Sequence, residues 1–177
     1  MSYGRVLPAF VGVIHMELSL IMRILMVCLG NICRSPLAEG ILRDRIAKAG
    51  LDWTVDSAGT GNYHIGEQPH ALSIKAAMAN GIDISSQQCR QFAREDMVSF
   101  DRIYVMDEEN YEEVKRISGK SFDESKVSLI LSALYPGEKK SVPDPWYGTE
   151  KDFHLVFDML SKACDTIIHG YAGGKGS

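Results

Sequence analysis

The sequence has few cysteines, no long apolar segment and no excess of positive charge. Its four cysteines, at positions 28, 33, 89 and 164, form no C-x-x-C pair, which argues against a structural zinc site or an exported disulfide framework. The longest uncharged apolar run, residues 6–14, contains a proline and is about half the roughly 20 residues of a membrane helix. With 19 basic and 23 acidic side chains, the formal net charge is −4, so no broad basic surface is available for nucleic acid. Any bound phosphate must be held by a local arrangement.

The composition that remains is that of a soluble globular protein. The chain has 177 residues, of which 45% are hydrophobic and 24% charged, which predicts one domain of ordinary size. The first twenty-odd residues lack the charge pattern and small-residue cleavage site of a signal peptide. We therefore expect a cytoplasmic protein that neither spans nor binds a membrane.

Short apolar segments typical of buried strands alternate with amphipathic segments typical of helices. The predicted strands cover residues 23–28, 53–57, 103–106 and 127–131. Between and after them, helices are predicted to begin at Ser35, Pro69, Asp107 and Phe153, with Ser35 and Asp107 as capping residues. This order predicts an α/β fold: a single three-layer domain of flavodoxin-like architecture, with a four-stranded parallel sheet and helices on both faces. Ligands of such sheets bind beyond the carboxyl ends of the strands.

The segment from Cys28 to Ser35 has the residue types of an oxyanion-binding loop with a nucleophile. Gly30 and Asn31 accept positive φ, so consecutive backbone N–H groups can point inward, and the following helix adds the partial charge of its N-terminus. The same field favours the thiolate of Cys28, and the Arg34 guanidinium can bind two phosphoryl oxygens. A buried strand-end cysteine beside a solvated arginine is the structural alternative. The strand, loop and Ser-Pro helix start in one short stretch favour a site.

A second segment, Val-Pro-Asp-Pro-Trp-Tyr-Gly, offers the acid that expulsion of an aryl oxide requires. Flanking prolines favour an extended Asp144, so its carboxyl can project from the loop. Trp146 and Tyr147 can form a wall for a flat aromatic group. By itself, this segment is typical of a rigid surface turn. It indicates a catalytic acid only in combination with the cysteine loop.

Three segments, VCLGNICRSPLAEG, DSAGT and PDPWYG, resemble in order and spacing the low-molecular-weight protein tyrosine phosphatases, over essentially residues 22–168. The resemblance implies hydrolysis of phosphotyrosine in proteins. Cys28 would form a phosphocysteine, Arg34 would hold the phosphate, and Asp144 would act first as acid and then as base. The implied substrate-binding residues are Leu29, Gly30, Asn31, Ile32, Cys33, Ser35, Trp146 and Tyr147.

The resemblance also implies supporting roles and partners. Asn31 would hold the loop's shape with a hydrogen bond to Ser57, and Cys33 could form a reversible disulfide with oxidised Cys28. No cofactor and no metal ion are implied. The expected partners are phosphotyrosyl proteins and a cognate tyrosine kinase, not nucleic acid or membrane, and the expected state is a monomer.

Some features depart from the family pattern or stay outside it. Gln87 follows Ser86 where many relatives have a histidine, so one hydrogen bond to the loop is expected to change. We expect the phosphatase domain to cover residues 22–169. Residues 1–21 would be a poorly ordered extension, or upstream of a start at Met16 or Met22, and residues 170–177 a loose tail. The acidic residues 107–113 are interpreted as a solvated helix start, the histidines as surface or satisfied groups, and Cys89 and Cys164 as buried small hydrophobic residues.

Three other functions fit part of the pattern. A thiol-dependent arsenate reductase shares the Cys-x5-Arg loop, but Cys89 has no cysteine partner six or seven residues on. A phosphopeptide-binding module would gain nothing from Asp144 beside a phosphate dianion. In relatives that resemble protein arginine phosphatases, the residue at the position of Ile32 is a threonine. The hydrocarbon of Ile32 would instead leave the guanidinium donors of a phosphoarginine unpaired. We therefore predict a preference for phosphotyrosine over phosphoarginine and phosphoserine.

Overall fold

The computed structural model describes residues 21–173 and is built around one parallel sheet. The sheet's strands are β1 (Met22–Cys28), β2 (Trp53–Gly59), β3 (Arg102–Val105) and β4 (Val127–Leu129), and their spatial order is β2-β1-β3-β4. The helices are α1 (Arg34–Ala49), α2 (Ala71–Met78), α3 (Asp96–Ser99), α4 (Glu108–Ser118) and α5 (Glu150–Gly173). Short 3-10 turns at residues 119–121, 124–126 and 130–133 flank β4.

The sheet is buried on both faces, which explains the continuous apolar run of β1. Ile24 and Met26 point to the face covered by α1, α2 and α5, where they pack in one core with Leu37 and Phe153. Leu25 and Val27 point to the opposite core with Val114 and other residues. The predicted three-layer α/β domain with a four-stranded parallel sheet is confirmed. In residues 21–173 no helix combines the length and apolar character needed to cross a membrane.

Several element ends differ from the sequence prediction. Helix α1 begins at Arg34 with Cys33 in the capping position, and Ser35 does not cap because its hydroxyl bonds to groups of the preceding loop. Strand β4 ends at Leu129, where the chain turns into a 3-10 helix. Helix α5 continues to Gly173, past the domain end expected at residue 169. Residues 1–20 and 174–177, with the rest of those expectations, lie outside the described residues.

The topology brings three loops to one edge of the sheet. Cys28 ends the central strand β1, and the N–H of Thr60, just after β2, donates to the Cys28 carbonyl at 2.9 Å. The N–H of Val142 donates to the Met106 carbonyl at 2.8 Å, which fixes the loop of Asp144 beside the end of β3. The candidate residues of the three sequence segments therefore meet at this edge.

Candidate active site

Cys28 lies where the end of β1 meets the N-terminus of α1. Its sulfur is 3.1 Å from the Ser35 hydroxyl oxygen and accepts the backbone N–H of Asn31 at 3.2 Å. The side chain is 3% exposed, so these polar groups take the place of water around the sulfur. Two polar groups and the N-terminus of α1 therefore surround the sulfur, which is the setting expected for a residue that contacts a bound oxyanion.

Asn31 holds the loop in an unusual backbone conformation. Its φ is 53°, in the left-handed region that side chains other than asparagine and aspartate seldom adopt. Its amide nitrogen donates to Ser35 at 2.9 Å and to Ser57 at 2.8 Å, and its amide oxygen accepts the backbone N–H of Arg90 at 2.8 Å. The bond from Asn31 to Ser57 that the resemblance implies is therefore present. It links β2 to the loop around Cys28.

Glu39, which the sequence did not single out, continues this chain of bonds beneath the loop. It is 4% exposed on α1, accepts the Ser57 hydroxyl at 2.5 Å and pairs with Arg43. Burial raises the pKa of Glu39 above its usual value, although the bonds from Ser57 and Arg43 oppose the shift. In the sequence, Glu39 and Arg43 have the spacing of an ion pair on the surface of a helix. Only the folded structure reveals that Glu39 also binds Ser57.

Arg34 is buried and bound by two carboxylates. Its Nη1 donates to Asp107 at 2.6 Å and to the Val142 carbonyl at 3.1 Å, and its Nη2 donates to Asp144 at 3.0 Å. Burial alone would lower the pKa of Arg34, but Cys28, Asp144 and Asp107 outweigh it, and the pKa is raised. The arginine is therefore a permanent cation with its donor edge directed toward oxygens.

Asp107 corrects the interpretation of the acidic segment as only a solvated helix start. One carboxylate oxygen caps α4 by accepting the Asn110 N–H at 2.7 Å, as predicted, but the other binds Arg34. One carboxylate therefore links the start of α4 to the guanidinium of Arg34. The cap could be predicted because it joins residues three positions apart. The contact with Arg34 could not, because the two residues are 73 positions apart in the sequence.

Asp144 lies at the mouth of the site. Its side chain is 44% exposed, so a bound molecule can reach its carboxylate. One oxygen accepts the Trp146 N–H at 3.1 Å, and the other accepts Arg34. The turn and the ion pair together hold the carboxylate over the cavity.

A cavity of about 380 Å³ opens above the sulfur of Cys28. It brings together nine of the twelve predicted site residues, while Asn31, Ser35 and Ser57 lie beneath the loop. Its lining is formed by Cys28, Leu29, Gly30, Ile32, Cys33, Arg34, Asp144, Trp146 and Tyr147, together with Tyr63 and His64. A cysteine sulfur at the base, an arginine and a carboxylate at the side, and an aromatic rim suit an aryl phosphate.

The family model described as "Low molecular weight phosphotyrosine protein phosphatase" matches residues 23–172. The chain belongs to this family. It is a hydrolase, a protein-tyrosine phosphatase by family. The low molecular weight phosphotyrosine protein phosphatase of Gallus gallus is 36% identical over 147 residues, covering 82% of this chain and 92% of the relative. YfkJ of Bacillus subtilis, named a low molecular weight protein-tyrosine-phosphatase, has the same identity and coverage.

Solved structures agree with this assignment. A protein tyrosine phosphatase of Entamoeba histolytica, crystallised with Hepes in its active site, has a TM-score of 0.78 and 36% identity; the match covers 87% of this chain and 99% of that one. The structure of YfkJ has a TM-score of 0.79 and 34% identity, covering 88% and 97%. The phosphatase therefore shares fold and sequence with relatives over nearly their whole length.

Two histidines of the phosphatase are more than surface groups. His64 lines the cavity, which the sequence did not predict. His70 caps α2 by accepting the Leu72 N–H at 3.2 Å and stacks on Phe153 with ring centroids 5.0 Å apart. The cap is local, but the ring contacts of both histidines with Trp146, and of His70 with Phe153, involve segments distant in sequence and could not be predicted from it. His15 lies outside the described residues.

Two other cysteines lie within or beside the loop that follows Cys28. Cys33 lines the cavity, and burial, followed by the charges of Cys28 and Asp144, raises its pKa to about 12. Cys89 is buried, but the interpretation of it as only a small hydrophobic residue is corrected, because its thiol donates to the Asn31 carbonyl at 2.6 Å. Burial, ahead of the charge of Cys28, raises the pKa of Cys89 to about 11, so it stays a neutral donor. Cys164 is fully buried in the core, as predicted.

Gln87 supports the start of α1 rather than the loop. Its amide nitrogen donates to the Pro36 carbonyl at 3.2 Å, and its buried amide oxygen has no hydrogen-bond partner in the described structure. The amide oxygen of Asn31 accepts the Arg90 backbone N–H. The altered hydrogen bond to the loop that we expect at position 87 stays a prediction.

Proposed function

We propose that this phosphatase hydrolyses phosphotyrosine in proteins through a phosphocysteine on Cys28. One observation carries the proposal: Cys28, Arg34 and Asp144 lie around the same 380 Å³ cavity. The sulfur is at the base, the arginine donors lie beside it, and the exposed carboxyl is at the mouth. A phosphate bound by the loop would thus have a nucleophile on one side and an acid on the other.

In the first step, the Cys28 thiolate attacks phosphorus and the bond between phosphorus and the tyrosine oxygen breaks. Asp144 gives its proton to that oxygen, so the leaving group departs as neutral tyrosine. Loop N–H groups and the Arg34 fork bind the equatorial oxygens, where charge is spread in the transition state. In the second step, the Asp144 carboxylate takes a proton from water, and the water oxygen attacks phosphorus. The sulfur–phosphorus bond breaks, which releases inorganic phosphate and restores the thiolate.

The rim of the cavity supports phosphotyrosine as the substrate. Trp146 is 40% and Tyr147 98% exposed, so both offer aromatic surface to a ring that reaches down to Cys28. Ile32, 9% exposed in the lining, presents hydrocarbon to that ring. A guanidinium there would lose hydrogen bonds with water at a cost of about 1–3 kcal/mol each, and phosphoserine is too short to fill the rim. We therefore favour tyrosine over arginine and serine.

The proposed setting follows from the same chemistry. A thiolate nucleophile needs reducing surroundings, and the four cysteines are free thiols, which suits the cytoplasm. We propose that the protein acts there as a monomer on phosphotyrosyl proteins made by a cognate tyrosine kinase.

Turnover of phosphotyrosyl, phosphoarginyl and phosphoseryl peptides, read as release of inorganic phosphate, tests the proposal. We expect activity in the presence of a chelator, the highest kcat/KM on phosphotyrosine, and none in Cys28→Ser, because the alcohol stays protonated where the thiol ionises. Cys164→Ala, which changes a buried cysteine outside the cavity, is the matched control and should keep its activity. An active Cys28→Ser protein, or loss of wild-type activity in chelator, would refute the mechanism. A higher kcat/KM on phosphoarginine would refute the substrate, and an Ile32→Thr variant should move the preference that way.

A further inference from the structure

The loop after Cys28 is held from outside by the segment of Cys89. The Cys89 thiol donates to the Asn31 carbonyl at 2.6 Å, and the backbone N–H of the next residue, Arg90, donates to the Asn31 amide oxygen at 2.8 Å. Cys89 is itself fixed, because its backbone N–H donates to the Glu67 carbonyl at 2.8 Å. Burial raises the pKa of Cys89 to about 11, so the thiol keeps the hydrogen that it donates. Cys89 is therefore a well-fixed donor to the outer side of the loop.

A second side-chain donor, Ser73, holds the loop two residues further along. Ser73 is fully buried on α2, and its hydroxyl donates to the Cys33 carbonyl at 3.3 Å. The carbonyl between the two, that of Ile32, accepts the His70 backbone N–H at 2.8 Å. Three consecutive carbonyl groups of the loop therefore each accept a donor from a distant segment, and two of these donors are side chains.

The direction of each carbonyl group also sets the direction of the next N–H group. In a planar trans peptide, the C=O of one residue and the N–H of the next point in opposite directions, and the described residues contain no cis peptide bond. Two of the loop carbonyls point to Cys89 and Ser73, so the N–H groups of Ile32 and Arg34 point away from these donors. The cavity lies on that side, because its lining in the described structure includes Ile32, Cys33 and Arg34 but neither Cys89 nor Ser73. The two N–H groups therefore face the space where a phosphoryl group would bind.

We propose that Cys89 and Ser73 are positioning residues for phosphate binding, which hold the N–H groups of Ile32 and Arg34 toward the phosphoryl oxygens. N–H groups that already face an anion bind it without reorganising, whereas a peptide group that has lost its outer hydrogen bond can rotate away. The proposal rests on the proposed function only in assigning the phosphate to this loop. Because the Cys89 contact is shorter than the Ser73 contact, Cys89 should contribute more.

Calorimetric titration with inorganic phosphate, at a temperature where every variant is folded, tests the proposal without requiring turnover. Cys89→Ala removes the donor and should weaken phosphate binding about fivefold, and Ser73→Ala should weaken it about threefold. Cys89→Ser keeps a donor, and a hydroxyl donates more strongly than a thiol, so this variant should bind phosphate as tightly as wild type. A role in packing alone predicts the opposite order, because a buried apolar site tolerates alanine better than serine.

The amide proton of Ile32 offers a second measurement, by nuclear magnetic resonance. A hydrogen bond to an anion moves an amide proton resonance downfield, so phosphate should shift this resonance in wild type and in Cys89→Ser. In Cys89→Ala the shift should be smaller. The same shift in all three proteins would show that the thiol does not orient this N–H group.

The chain offers a matched control for each donor. Cys164 and Ser118 are fully buried, the Cys164 thiol lies 3.9 Å from the Ala38 carbonyl, and the Ser118 hydroxyl has no hydrogen-bond partner in the described part of the chain. Cys164→Ala and Ser118→Ala should bind phosphate like wild type.

Wild-type phosphate affinity of Cys89→Ala would overturn the proposal, and so would a Cys89→Ser variant that binds as weakly as Cys89→Ala. Unchanged affinity of Ser73→Ala would overturn the part assigned to Ser73. If phosphate binding follows the expected order but no phosphotyrosine is hydrolysed, the proposed function fails while the positioning role stands. If phosphotyrosine is hydrolysed but Cys89→Ala binds phosphate like wild type, the proposed function stands and the positioning role fails.

Discussion

Asn31 offers the sharpest test of how this fold shapes its loop, because its backbone and its side chain can be perturbed separately. Asn31→Gly removes the amide but keeps access to a φ of 53°. Asn31→Ala removes the amide and also disfavours that φ, because a Cβ makes the left-handed region costly. The two variants lose the same three hydrogen bonds, to Ser35, Ser57 and the Arg90 backbone. The difference between the two variants in stability and activity therefore measures the effect of the left-handed backbone conformation at position 31.

The size of each effect follows from the contacts of a residue that is 1% exposed. Two buried hydrogen bonds and one part-buried one, at about 1 kcal/mol each, predict that Asn31→Gly lowers the free energy of unfolding by about 3 kcal/mol. At roughly 2–4 °C per kcal/mol for a domain of this size, the melting temperature should fall by about 6–12 °C. Asn31→Ala adds about 1–2 kcal/mol for the left-handed conformation, less about 0.5–1 kcal/mol because alanine has less unfolded-state entropy than glycine.

Thermal unfolding and kcat/KM on an aryl phosphate measure the two consequences. Since the Asn31 N–H donates to the sulfur of Cys28, the loop's shape should matter for activity as well as for stability. We expect kcat/KM to fall about tenfold or more in Asn31→Gly and further in Asn31→Ala. Asn80→Ala, which removes one part-buried bond from the turn after α2 to the Ala76 carbonyl, is the control and should change stability by about 1 kcal/mol or less. If alanine at position 31 were as active as glycine, the claim that this φ shapes the site would be wrong. Near-wild-type stability of both would refute the hydrogen-bond argument.

Further predictions concern the acid, the paired cysteines and the buried carboxylate. Asp144→Asn should greatly reduce turnover of substrates with poor leaving groups and reduce it less on activated aryl phosphates; an equal loss on both would exclude it as the acid. Mild peroxide should inactivate the enzyme reversibly through a disulfide between Cys28 and Cys33, seen by peptide mapping; finding Cys28 only over-oxidised would contradict this. Because the pKa of Glu39 is raised by folding, wild type should lose stability relative to Glu39→Gln as the pH rises above about 4.3, measured by urea unfolding. A gap that stays constant with pH would contradict a raised pKa.

The parts of the fold that sequence predicts well are those fixed by local chemistry. The apolar run of β1 required burial on both faces, and the order of strands and helices then required a parallel three-layer domain. Asp107 was predicted to cap α4 because a cap depends on residues three positions apart. The loop after Cys28 could be interpreted because glycine, asparagine, arginine and the helix start are neighbours in sequence.

Contacts between distant segments account for what the sequence did not reveal. Asp107 also binds Arg34, Glu39 binds Ser57, and His64 lies over Gly30. In each case a residue with an adequate local explanation has a second partner that only the tertiary fold supplies. In Ser35 the local prediction was wrong. The residue was predicted to cap α1, but its buried hydroxyl forms hydrogen bonds with Cys28 and Asn31 of the loop instead.

The arrangement of Arg34 links phosphate binding to the state of the acid. Its Nη1 is held by Asp107 and the Val142 carbonyl, whereas its Nη2 donates to Asp144. A phosphoryl group bound in the loop competes for the same guanidinium, and we expect it to displace Asp144, whose side chain is 44% exposed, rather than Asp107, which also caps α4. Released from Arg34, the exposed Asp144 carboxyl is free to turn toward the leaving tyrosine oxygen at the mouth of the cavity. Binding of the substrate would therefore itself bring the acid to the atom that it must protonate.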